Sequence, residues 1–172
     1  MLRHLILAGI LAFAMPAAFA HETQFSDPQI AHIAYTAGQI DVTAAKLALE
    51  KTQNPDVRAF AELMARDHAA VNDQALALVK RLNVTPEANA TSEALSRQAA
   101  EAEKRLAMLS GAAFDRAYVE NEIAYHKAVN EALRTALIPS AHNPELKSLL
   151  ETGLTLFQEH QAHAEHLAQS VK

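Results

Sequence analysis

Three times in this chain a side chain able to cap a helix stands just ahead of a proline in the first helical turn. The stretches are Ser26-Asp27-Pro28-Gln29, with Gln at the capping-box position, Asn54-Pro55 and Asn143-Pro144. Proline costs nothing there, because the first N–H groups of a helix lack intrahelical partners and its fixed φ already suits the turn. Each start is followed by a long run without internal proline and rich in Ala, the strongest helix former. The spacing predicts helices over 28–51, 55–82, 92–109, 112–138 and 144–170. Residues 83–91 read as a loop, Ser110-Gly111 as a break and Pro139 to Asn143 as a turn.

Two tight helical hairpins joined by a long, partly helical crossover predict an all-α fold on the plan of a ferritin-like four-helix bundle. With 172 residues, 4 Gly and 6 Pro, the chain suits one domain and is too poor in turn residues for an all-β fold. The absence of Cys excludes disulfides, thiolate metal sites and a Cys nucleophile.

Residues 1–20 read as a secretory signal peptide: Arg3 and His4, an apolar run from Leu5 to Phe13, and the small-x-small site Ala18-Phe19-Ala20. The expected mature domain is 21–172, periplasmic or secreted, with no integral membrane segment after signal removal. The net charge is −5, and losing Arg3 with the leader makes it one unit more acidic. Without a basic cluster, such a chain is not expected to bind nucleic acid.

Chemistry enters where the apolar seams are interrupted. The stripe of helix two runs Val57, Ala61, Met64, His68, Val71, Ala75, Leu78, and that of the last helix Leu146, Leu150, Gly153, Phe157, His160, Ala164, Leu167. Each carries one His. The helix over 112–138 brings Glu122 and His126 to its inward face, and Asp41 lies beside the seam of helix one. Counted from the helix ends, these positions fall within one to two turns of a common depth.

Several buried imidazoles and carboxylates need compensation, which mutual pairing or a metal ion supplies. His68, His126 and His160 with Asp41 or Glu122 form an N/O donor set suited to a transition-metal ion such as Fe, Zn, Cu or Mn. His163 lies close enough to His160 to share an ion. The competing expectation is three core histidines satisfied by carboxylates or backbone carbonyls. His32, His142 and His166 read as surface residues; Asp67 reads first as a surface partner of Arg66 or a Lys, and second as a carboxylate able to orient an imidazole from a neighbouring helix. Cleavage after Ala20 leaves His21 as a terminal residue able to chelate copper. No phosphate-cradling Gly loop or nucleophile elbow is present, so hydrolase and nucleotide-binding functions lack support.

Several of these stretches coincide with a known pattern: Gly38-Gln39-Ile40-Asp41 leading to Lys46-Leu47-Ala48, Val57-Arg58-Ala59-Phe60-Ala61 with Met64 and Asp67-His68, Phe114-Asp115 with Tyr118 and His126, and finally His160. On these the chain resembles a bacterial family of exported ferritin-like proteins of unknown function, often labelled predicted outer-membrane proteins. The resemblance implies a helical bundle in the cell envelope with His68, His126 and His160 as recurring polar positions, and it implies no activity. The Glu-x-x-His motif of di-iron bundles is missing: Ala65, Ile123 and Phe157 stand three residues before the histidines. A mononuclear site fits better.

Three functions follow as expectations. One is a metal-binding protein for metal handling or envelope stress. The second is a metal-dependent oxidoreductase using the same residues. The third is a metal-free helical module that binds an envelope partner or a second copy of itself.

Overall fold

The computed structural model describes residues 24–171. The predicted signal peptide, residues 1–20, and His21 lie outside the described residues. Among the described residues the fold is all-helical, with no strands. Its elements are α1 (Asp27–Lys51), α2 (Pro55–Arg81), α3 (Ala90–Ala107), α4 (Gly111–Ala132), a π-helical turn (Leu133–Leu137), α5 (Ile138–Ser140) and α6 (Pro144–Leu167).

The caps act as the residue types dictate. Ser26 and Gln29 form a reciprocal capping box, with Ser26 N–H donating to Gln29 Oε1 at 3.0 Å. Asn54 Oδ1 accepts from the N–H groups of Asp56 and Val57, and Asn143 Oδ1 from those of Glu145 and Leu146. A fourth cap, Asn89, accepts from Thr91 and Ser92 and starts α3 two residues earlier than the spacing predicted. Gly111, with φ of +56°, turns the chain out of the α3–α4 break in a conformation that L side chains rarely adopt.

One predicted helix is not uniform. The stretch over 112–138 passes through the π-helical turn just before Pro139, where the Ile138 N–H reaches back to the Leu133 carbonyl. Pro139 has no N–H to offer Thr135 and its ring crowds that carbonyl, so the ladder cannot continue in α-helical register. The last helix ends at Leu167, three residues before the predicted end.

α1 packs along α2 and α4 along α6, while α2 also meets α6 and α1 meets α4. α3, which connects the two hairpins, lies mainly on α1 and buries Leu95, Ala102 and Leu106. The interior divides into two apolar clusters. One gathers Phe60, Met64, Phe114 and Tyr118; the other gathers Phe25, Ile30, Leu133 and Phe157. Along α1, α2 and α4 the polar positions Asp41, His68 and His126 fall between members of the two clusters, and His160 does so on α6. No helix among the described residues is long and apolar enough to cross a membrane.

Candidate metal centre

Asp41, His68, Glu122, His126 and His160 are each at most 2% exposed. The structure brings them together in two overlapping groups: His68, His126 and His160, and Asp41, Glu122 and His126, each with its donor atoms within 4.8 Å of one another. At the centre is a small triangle. His68 Nε2 lies 3.3 Å from His126 Nε2, and Asp41 Oδ2 lies 3.4 Å from the first nitrogen and 3.5 Å from the second.

Each ring is held from behind. His126 Nδ1 lies 3.0 Å from the Glu122 carbonyl oxygen, one turn back on the same helix, so that nitrogen donates and leaves Nε2 with a free lone pair. His68 stacks on Phe157 with ring centroids 4.5 Å apart and planes within 8°. His160 Nε2 lies 3.1 Å from Asp67 Oδ2. Asp67 also accepts from Arg66 Nε at 2.8 Å through its other oxygen. It is therefore both the surface partner of Arg66 and the residue that orients an imidazole from α6.

What remains unsatisfied is as informative. Both oxygens of Asp41, Nδ1 of His68, Nδ1 of His160 and Oε2 of Glu122 are buried and have no hydrogen-bond partner. Burial lifts the Asp41 carboxyl to about 8, and burial together with the Asp41 charge raises Glu122 well above the usual carboxylate range. Burial pushes the histidines the other way. His68 falls well below its ordinary value and His126 falls to about 4. His160 is lowered as well, by burial that outweighs the opposing pull of Asp67. Without a cation, then, the layer is driven towards its neutral form.

Of the six residues singled out from sequence, five converge and one does not. His163 is exposed, and its ring lies edge-on against Phe60 with centroids 5.1 Å apart, because it faces a different side of α6 from His160. Of the two pairings open to Asp67 from sequence, the less favoured one, to an imidazole of a neighbouring helix, is also made, with His160; the bond that Tyr125 donates to the Ala37 carbonyl at 2.7 Å had no signal in the sequence. The Asp-His dipeptide was visible, but no helical spacing says which helix Asp67 faces.

These elements define an all-helical protein with a buried histidine and carboxylate layer. The chain belongs to the DUF4142 family, a domain of unknown function, whose family model matches residues 12–167. Its fold is similar to the crystal structure of a candidate secreted protein, DUF305, from Streptomyces coelicolor. The TM-score is 0.71 at 12% identity, over 83% of this chain and 91% of that chain, a likeness that concerns the fold alone. No curated protein matches the chain.

Proposed function

We propose that this chain is an exported helical protein that holds one divalent transition-metal ion in its core. Residues 1–20 are the export signal, and 21–172 form a single ferritin-like four-helix domain with α3 in the crossover between its hairpins. The observation that carries the metal is the donor triangle. A tetrahedral ion bound at about 2.0–2.1 Å has donor–donor edges of about 3.3–3.4 Å. The edges between Asp41 Oδ2, His68 Nε2 and His126 Nε2 are 3.3, 3.4 and 3.5 Å.

The unpartnered atoms point the same way. Buried polar atoms without partners cost roughly 1–3 kcal/mol each, and a cation would relieve the ones facing it, Asp41 Oδ2 first, while His68 Nδ1 stays unpartnered. Asp41, His68 and His126 are the inner donors. His160, with Nε2 engaged by Asp67, offers Nδ1 as a further donor, and Glu122 stands beside His126. The set is free of sulfur and suits Zn, Fe, Mn or Cu, whose chemistry would be Lewis-acid or redox according to the ion. We place the protein in metal handling or envelope stress in the periplasm.

Metal analysis of the natively purified chain tests this directly. The wild type is expected to carry about one ion per chain and to lose thermal stability in chelator. His68→Leu is expected to empty the site while leaving a folded protein, since an apolar side chain replaces an imidazole whose Nδ1 is buried without a partner. A metal-free wild type whose melting temperature ignores chelator would overturn the proposal and leave a helical scaffold with neutral core histidines.

A further inference from the structure

Beside the polar layer, among α1, α2, α4 and α6, the helices leave a cavity of about 50 Å³. It exists because α1 presents Ala34, Ala37 and Gly38 to it, too small to fill the space. The π-helical turn contributes Leu133 and Leu137, and such turns are frequent at functional sites. Phe157 forms part of the wall, and the same ring stacks on His68. One aromatic ring therefore separates the cavity from the donor triangle.

Among the described residues, a single polar side chain lines this space. Asn72, one turn from His68 on α2, is 3% exposed, and its Nδ2 has no hydrogen-bond partner. Water is a poor occupant. A cavity water needs two to four polar partners and about 10–15 Å³, and this cavity has the volume for several waters but one donor. Benzene is also a poor fit, since the engineered cavity that binds it measures about 150 Å³. What fits is a neutral, apolar molecule of a few heavy atoms that can accept one hydrogen bond.

We propose that the cavity is an antechamber for dioxygen, held in apolar space against Asn72 on its way to the histidine and carboxylate centre. Dioxygen as the occupant rests on the metal centre proposed above and names the substrate class of that site. The inference is one of residence and delivery, and involves no bond-making step.

Crystals of the metal-free protein under xenon pressure test residence. A xenon atom is expected against Leu133 and Phe157. An empty cavity, or waters bound to Asn72 that xenon does not displace, overturns the antechamber. Delivery is tested on the iron(II)-loaded protein with nitric oxide as a stand-in that needs no electron transfer, followed by stopped-flow absorbance. Ala34→Val, which fills the space, is expected to slow adduct formation by about tenfold while iron affinity is unchanged. Val129→Ile, a gentler filling, gives a smaller slowing and serves if the first variant does not fold. An unchanged rate in a variant that has lost its xenon site overturns delivery. The two proposals fail separately. Iron bound without xenon sinks the antechamber and spares the metal centre; xenon bound in a chain that takes up no metal sinks the metal centre, and dioxygen delivery with it.

Discussion

Asp67 sits about 100° around α2 from His68, an offset that takes it off the seam of its own helix. The same offset delivers it to α6, where its Oδ2 meets His160 Nε2 at 3.1 Å. A carboxylate behind an imidazole fixes the tautomer and raises the basicity of the other nitrogen. Asp67→Asn is therefore expected to weaken metal binding by about 10- to 100-fold in competition titrations, with the helical circular dichroism unchanged. If Asp67 served only Arg66, affinity would not move. A second residue-scale case is Gly38. A Cβ built there would overlap the amide end of Asn72, so the glycine makes room for that buried side chain of α2 and is not demanded by its own backbone angles. Gly38→Ala is expected to destabilise the protein by about 1–3 kcal/mol in thermal unfolding. The double variant with Asn72→Ala should recover part of that loss, since the overlapping atom is gone.

At the scale of elements, the helix starts were legible because capping is local: Ser26, Asn54 and Asn143 bond N–H groups two or three residues ahead. The seam histidines were legible for a related reason, since a polar residue on an apolar stripe has nowhere to go but inward. What local pattern could not carry was contact between distant segments. Phe114-Asp115 stood out as part of the family resemblance. In the structure the aspartate also accepts a long-range hydrogen bond, from Thr52 Oγ1 at the end of α1 to Asp115 Oδ1 at 2.6 Å in the interior. This bond ties the α1–α2 turn to the first turns of α4, 63 residues away. Thr52→Val keeps the shape and removes the donor. It is expected to cost about 1–3 kcal/mol in urea unfolding, because the buried carboxylate loses a partner. Combined with Asp115→Ala, the loss should be smaller than the sum of the two single losses. The π-helical turn was equally hidden. Pro139 signalled a helix end, yet the response to it falls on the residues before it, where packing of Leu133 and Leu137 decides how the helix yields.

For the molecule as a whole, the buried layer sets a pH profile that metal should change. In the metal-free chain His68, His126 and His160 titrate below their ordinary range, while Asp41 is lifted to about 8 and Glu122 moves in the same direction. Unfolded histidines take up protons below about pH 6.5, and unfolded carboxyls release theirs above about pH 4. Below about pH 6.5 unfolding therefore takes up three histidine protons and releases two carboxyl protons, so stability falls as acid is added. From about pH 6.5 up to the pKa of about 8 at Asp41, only the carboxyls count, and stability falls as pH rises. Metal-free protein is expected to be most stable close to about pH 6.5 in urea titrations at a series of pH values. A bound cation keeps the carboxylates ionised and should abolish the decline on the alkaline side. A metal-free profile that climbs steadily through neutrality would show that the carboxyls are not held protonated.

Asp41, His68, His126 and His160 stand on four different helices, the last of them on α6. No shorter stretch of the chain can cage an ion with all four, and a nascent or truncated product lacking α6 is left with an open basket. An ion locked in place would thus work as an assembly mark, stamped only on molecules in which all four of these helices have wound together.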